Sequence, residues 1–520
     1  MKALSFGKAP RARGVSTLEI LIAFAILSLT LTAAVLVVFG NQSVSIDSQT
    51  NIEALSKAQA QLESARALSR QDFSQVASLG PAPDDIYKKT LMVEPIDAFT
   101  KRATSLVSWA SGGRSLSVKL VTILTDFGSI AGSCAPAQDG DWKNPQHWEF
   151  VPSNLVPGNS AGGLGIADIK AYKQKLYIAA GAPAKSGDSF FVFGLQSDPS
   201  QAPAFLGSGD NGTVLSALAL GQKGASLYAY AASARGSNFS TCAQSPACAQ
   251  LQVIDVTNPA SPSVAASLKL PGVSGSSGQG IGKSIFYSGG YAYEGLAKTA
   301  SGPEFHIIDV SNPLSPVEVG SYTVGRTVKS IYVRGNYAYL ATDDNAKELI
   351  VLDIRDKAHP VAVGGFDAPQ NDAQGNNSGL GDSVFANASG AYLGRTYSLS
   401  GGDPEFYILN DTNPASALPV LGSKDIGTSA SPDSVLGIEV SGTLAFLLTN
   451  KQFQVWDISN PASLAARSPD GTAATFLSLS GLGGTGASLG CAGGYLYAAI
   501  ASSQGNHKDI VSIIGPGAAN

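Results

Sequence analysis

VKSIYVRGNYAYLATDDNAKELIVLDIRDKAHPVAVGGFD, residues 328–367, holds four short apolar runs parted by turn residues. VKSIYV, YAYLAT, ELIVLDI and PVAVGGF are rich in Val, Ile, Tyr and Leu and read as strands. Arg334-Gly335-Asn336 and the Asp-Lys-Ala-His-Pro run at 356–360 supply turns. The stretch therefore reads as one four-stranded antiparallel unit.

The unit recurs. QVIDVTNPASP begins at Gln252, HIIDVSNPLSP at His306, IVLDIRDKAHP at Ile350, YILNDTNPASA at Tyr407 and QVWDISNPASL at Gln454. Their aligned Asp255, Asp309, Asp353, Asn410 and Asp457 lie 54, 44, 57 and 47 residues apart. A weaker first copy, FVFGLQSDPSQAP, starts at Phe191, and a truncated last copy, DIVSIIG, at Asp509. Four strands per copy, a period of about 45 residues and about seven copies predict a seven-bladed β-propeller. The last copy stops after its third strand, and HWEFVPS at 147–153 precedes the first. That segment is expected to supply the missing outer strand, so that both ends share one blade.

This third-strand pattern resembles the LVIVD repeats, a β-propeller family, over roughly residues 164–514. In the D-[VI]-[ST]-N-P element the Asp or Asn closes the strand, and Asn-Pro sets a tight turn. The same place in every copy argues for turn formation and against a catalytic or metal ring. Turns between strands one and two, and three and four, share one face and are short. The opposite face carries long loops, AASARGSNFSTCAQSPACAQ, PGVSGSSGQGIG, AKTASGPE and DAPQNDAQGNNSGLGD. Long loops on a rigid scaffold are where binding residues gather, so this face is the expected binding face.

The start of the chain is different. Residues 1–14 hold Lys2, Lys8, Arg11 and Arg13 and no acid, and from Leu18 to Phe39 the only charge is Glu19. About 20 apolar residues suffice to span a bilayer, and the basic flank orients the N-terminus to the cytoplasm. A carboxylate at the entrance of such a span is costly. The stretch RARG-VSTLEILIAFAIL resembles the N-terminal signal of type IV prepilins and pseudopilins. The resemblance implies cleavage by a prepilin peptidase between Gly14 and Val15, N-methylation of Val15, and retention of Glu19 at the fifth mature position. Phe is the common first residue of the family, so Val15 is a departure. The proline of many major pilin helices is also missing, since no Pro lies between Pro10 and Pro81. Glu19 is expected to meet the Val15 amine of a neighbouring subunit and set filament register, because a buried carboxylate needs a partner.

After Gly40, Ile52, Leu55, Ala58, Leu62, Ala65 and Leu68 recur at helical steps up to the Gly80-Pro81 stop. The expected order is a leader 1–14, an N-terminal helix within 15–80 with a membrane half 18–39, a small pilin-like sheet 81–127, a linker 128–146 and a propeller 147–520. The fold class is mainly β, with one long helix.

Composition agrees. The 520 residues include 58 Gly, and only 14% are charged, which suits many short strands and turns. The net charge is −5, and the one basic cluster is at the N-terminus, so no nucleic-acid partner is expected. In an exported chain, Cys242 and Cys248 suit a local disulfide, and Cys134 with Cys491 would tie the start of the propeller to its end. In a cytosolic chain all four are ordinary thiols. The scattered cysteines and His147, His306, His359 and His507 lack metal-ligand spacing. DDNAKE at 343–348 and NDAQGNNSGLGD at 371–382 offer oxygen ligands but not the EF-hand spacing, and read as polar turns. No nucleophile elbow or phosphate loop is present, so neither an enzyme nor a cofactor is expected.

The functional expectation is a minor or tip subunit of a type IV pilus or pseudopilus that displays a propeller for adhesion. Its partners would be the peptidase, other pilin subunits through the helix, the inner membrane before assembly, and a surface protein or glycan. The alternatives are an anchored extracytoplasmic propeller outside any filament and, further off, a surface enzyme.

Overall fold

The computed structural model describes residues 17–71 and 76–517, apart from 98–99, 112, 126–140, 159–162, 182–186, 211, 234–248, 275–277, 370–378, 398–402, 428–432, 468–474, 479–483 and 503–507. The chain forms two compact units. One is built on the N-terminal helix and its sheet; the other comprises Leu124–Asn520 with the short stretches Ala67–Val76 and Pro95–Lys101.

In the first unit a single helix runs Thr17–Gln71. It ends before Gly80-Pro81, which instead lies in the edge strand Leu79–Asp84. Proline is tolerated there because an edge strand need not donate every N–H. That strand opens the order Leu79–Asp84, Tyr87–Asp97, Thr100–Ser111, Arg114–Thr125, a four-stranded sheet that begins two residues before the expected 81–127. Ala54 and Ala58 bury their small faces against Tyr87, Val107 and Trp109. Small helix residues let the sheet aromatics approach, and Tyr87 and Trp109 meet edge-on at 5.7 Å. Lys57 and Lys89 both reach Asp84, at 3.0 and 2.9 Å, and these hydrogen bonds hold its carboxyl below the usual range.

The helix stretch 24–32 presents Phe24, Ile26, Leu27, Leu29 and Leu31 to solvent, Phe24 at 70% and Leu29 at 74% exposure. Most side chains of the expected membrane half 18–39 lie outside the described residues. Among the described residues no helix is long and apolar enough to cross a membrane.

The second unit is a closed ring of seven sheets. Blade 1 covers 166–209, blade 2 215–268, blade 3 282–322, blade 4 328–366, blade 5 381–424 and blade 6 435–478. Blade 7 takes three strands from 484–517 and its outer strand from Asp141–Phe150. Val511 pairs with Phe150, Ile513 with Trp148 and Ile514 with His147, so both ends of the ring meet in one blade as expected. The outer strand starts at Asp141, which shortens the expected linker 128–146 and extends the propeller. Asn144-Pro145 reads as linker, yet the strand absorbs it by a register shift between Gly515 and Gly517. Asp141 accepts Lys143 N–H at 2.8 Å and Asn144 Nδ2 at 2.9 Å across that irregularity. In blade 6 two short strands, Ala465–Ala466 and Thr475–Ser478, share the outer place.

The core lies between blades. Phe150, Tyr497 and Val511 of blade 7 interlock with Ile178, Phe191 and Phe193 of blade 1. Outer strands seat the next blade's turn. At Gly364 a Cβ would lie 2.2 Å from the Pro414 carbonyl oxygen, and at Gly422 1.7 Å from that of Pro461. Only glycine permits this approach.

Candidate binding channel

The repeated Asp and Asn residues are turn formers. Asp255 accepts Thr257 N–H at 2.9 Å, Asp309 Ser311 at 2.8 Å, Asp353 Arg355 at 3.0 Å, Asn410 Thr412 at 3.0 Å and Asp457 Ser459 at 2.9 Å. These are Asx turns, and every oxygen so used is committed to backbone.

A second repeated column went unread in the sequence. Five residues before each of those positions stand Gln250, Glu304, Glu348, Glu405 and Gln452. Glu304 accepts Thr299 N–H and Oγ1, and also Val324 and Gly325 N–H at 3.0 and 2.8 Å. Glu405 binds Ile426 and Gly427 N–H, Glu348 binds Ala368 N–H, and Gln250 binds Leu270 N–H. Each of these four side chains fastens the connection leading to the next blade. Glu348 also meets Arg395 of blade 5 at 2.9 Å, both side chains at most 1% exposed. Burial raises Glu348 and pushes Glu405 up to about 7. The constant five-residue offset was the available signal.

The innermost strands of all seven blades line a central channel of about 260 Å³. Hydroxyls stitch its wall. Ser216 donates to Gly282 O at 2.7 Å, Ser284 to Val328 O at 2.9 Å and Ser383 to Val435 O at 2.9 Å, each crossing to the following blade. Ser488 donates to Asp168 Oδ1, and Asp168 Oδ2 accepts Leu218 N–H at 2.7 Å, joining blades 7, 1 and 2.

Two tiers of side chains differ from blade to blade. The inner strands begin on the long-loop face, and there Lys283, Lys329 and Asp382 line the entrance from blades 3, 4 and 5. Lys329 stands 3.4 Å from Asp382. Burial, and the neighbouring Lys329, push the Lys283 ammonium down. Deeper, Phe286, Tyr332 and Phe385 form a continuous aromatic arc with centroids 5.0 and 4.9 Å apart. Glu439 of blade 6 follows the arc, and Lys170 of blade 1 lies beyond it, held at 2.8 Å by Asp168. Glu439 Oε2 is buried with no hydrogen-bond partner among the described residues. Burial pushes its carboxyl up to about 8, against the pull of Lys170.

The other expected sites are placed as follows. Gly14 and Val15 lie outside the described residues, and Glu19 sits in the helix with its side chain also outside them. Cys491 is disulfide-bonded on the inner strand of blade 7, and among the described residues no cysteine is free. Cys134, Cys242 and Cys248 lie outside the described residues, as do most of the loop 231–250 and part of the loop 367–382. His306 is buried in blade 3, its Nδ1 2.6 Å from Glu318. Asp343 and Asp344 of the 343–348 stretch accept Thr327 and Ala346 N–H. No cluster of three His, Cys, Asp or Glu that could hold a metal occurs among the described residues.

The ring of blades makes the chain a β-propeller repeat protein. Its sequence matches the LVIVD repeat at residues 247–269, 279–324, 325–368 and 434–467, within blades 2, 3, 4 and 6 and the connections beside them. No curated protein matches the chain in sequence. Similar solved structures include the N-terminal domain of Nup159, at 12% identity and TM-score 0.40, covering 72% of this chain and 96% of that one. A chain of the mitotic checkpoint complex has 12% identity and TM-score 0.42, covering 72% and 95%. A catalytically inactive virginiamycin B lyase from Staphylococcus aureus with Quinupristin has 10% identity and TM-score 0.44, covering 72% and 99%.

Proposed function

We propose that this chain is a pilin-like subunit, minor or at the tip, of a type IV pilus or pseudopilus, and that it displays its propeller for surface binding. The observation that carries this reading is the helix stretch 24–32, where Phe24, Ile26, Leu27, Leu29 and Leu31 are exposed. A helix that is apolar around its circumference needs apolar surroundings. Neighbouring helices of a filament supply them after assembly, and the inner membrane before it. The helix also has the division of labour that a pilin helix requires, with Ala54 and Ala58 buried under a sheet further along. The resemblance of residues 11–27 to a prepilin signal supplies the chemistry. Cleavage after Gly14 frees the Val15 amine, and Glu19 offers the carboxylate that pairs with it in the next subunit. Binding rather than catalysis is the role proposed for the propeller, and the cell surface its site.

The test is the N-terminal residue of protein sheared from the cell surface, read by mass spectrometry in the filament fraction. N-methylated Val15 is the expected result. An intact Met1, or a cut beyond residue 30, overturns the reading. Glu19→Ala is expected to leave cleavage intact and remove the chain from filaments. A processed, membrane-bound chain that never copurifies with filaments would instead identify an anchored propeller.

A further inference from the structure

The geometry points to the central channel as a binding site for a small zwitterion, a ligand with an ammonium group at one end and a carboxylate at the other. Short peptides and ω-amino acids have this chemistry. All the residues concerned belong to the propeller, so the inference stands apart from the reading of the helix.

Two channel groups able to carry opposite charge lack ionic partners among the described residues. Lys283 at the entrance has no acid within ion-pair distance, since Asp382 is engaged by Lys329 and Asp168 by Lys170. Glu439, deeper, keeps Oε2 buried and unpartnered. An unsatisfied buried carboxylate is costly, and an ammonium is the donor that satisfies it best. The aromatic arc beside Glu439 favours the same group, because ring faces attract cations. Tyr332 belongs to that arc, and the Glu439 charge is close enough to raise its phenol further after burial has done so.

The two charges stand at different depths. Lys283 and Phe286 are three residues apart on one inner strand, and Glu439 shares the tier of Phe286. At about 3.3 Å per residue, the axial offset is roughly 7–10 Å. That exceeds the reach of an α-amino acid and suits a dipeptide or an ω-amino acid. The opposite wall carries Lys170 of blade 1, held by Asp168, between the small residues Gly490 of blade 7 and Ala219 of blade 2, which leave room beside it. A lone anion would leave Glu439 unsatisfied, and a lone cation would meet Lys283 and gain nothing from it.

The decisive experiment is calorimetric titration of the full chain in detergent solution with 6-aminohexanoate, hexylammonium and hexanoate at neutral pH. 6-Aminohexanoate is expected to bind most tightly of the three. Glu439→Gln and Lys283→Ala should each weaken it by about tenfold or more. An ammonium beside Glu439 favours the ionised carboxylate, so binding should release protons, seen as a dependence of the heat on buffer. That release should vanish in Glu439→Gln and persist in Lys283→Ala. The proton count on the unaltered protein decides the matter even where a variant folds poorly. Absence of 6-aminohexanoate binding, binding without proton release, or hexanoate binding as tightly as 6-aminohexanoate would each overturn the proposal.

Discussion

Ser488 and Asp168 lie 320 residues apart in the chain and share a hydrogen bond at the seam where blade 7 meets blade 1. The other carboxylate oxygen of Asp168 reaches on to Leu218 N–H in blade 2 at 2.7 Å. One side chain thus binds three blades, beside the blade whose third and outer strands come from opposite ends of the propeller.

Asp168→Ala should therefore destabilise the propeller more than Ser488→Ala. The first leaves the buried Leu218 N–H unpaired and also strips Lys170 of its partner, at a cost of about 2–4 kcal/mol. The second removes one hydroxyl and should cost about 1 kcal/mol. Urea titration of both variants gives the order; equal midpoints would remove the seam from the account of stability.

The outer strand of blade 7 is separable in sequence but not in structure. Deleting 141–150 exposes the third strand of blade 7 and uncovers the Phe150 packing against Phe193. The shortened chain should lose cooperative unfolding and aggregate, whereas deletion up to residue 140 should leave the propeller melting as one unit. Differential scanning calorimetry distinguishes the two.

Glu304, 2% exposed, accepts four hydrogen bonds, two from Thr299 and one each from Val324 and Gly325 N–H, which ranks it above Asp309. Glu304→Ala should cost about 3 kcal/mol, and Asp309→Ala, whose Asx turn is open to water, about 1 kcal/mol. Equilibrium unfolding of the pair checks the ranking.

Gly422 tests the contact between an outer strand and the following turn. An alanine there would press against the Pro461 carbonyl oxygen, so the backbone must shift. Gly422→Ala should destabilise by about 1–3 kcal/mol, as overpacking does. An unchanged melting temperature would show that the blades can part without loss.

Glu405 predicts a pH dependence. Burial outweighs its two backbone donors and pushes the carboxyl up to about 7. A raised carboxyl holds its proton more tightly folded than unfolded. Its stabilisation is complete below the unfolded value of about 4.3 and is lost as pH rises through the folded value. Glu439, pushed up to about 8, has the same sign. Denaturation midpoints should fall between about pH 5 and about pH 8, and Glu405→Gln should flatten the lower part of that decline.

The repeat, the strand grammar and the shared closing blade were legible in the chain because they are local or periodic. Asn-Pro turns and alternating apolar runs specify the same hairpin wherever they occur, so Asp255 and Asp457 could be read alike. A missing fourth strand at one end and a spare strand at the other determine closure by counting. The Gly80-Pro81 edge strand and the strand start at Asp141 were not legible, since each depends on a neighbour that accepts an imperfect segment. The channel was least legible of all. Lys283, Phe286, Tyr332, Phe385 and Glu439 occupy equivalent places in different blades but share no residue type, so no repeat marks them. Only closure of the ring brings them to one axis, where burial turns Glu439 from an ordinary surface carboxylate into an unsatisfied one. Repeat spacing and strand pattern specify how many blades there are and how each is built; closure of the ring sets which side chains face one another across the centre.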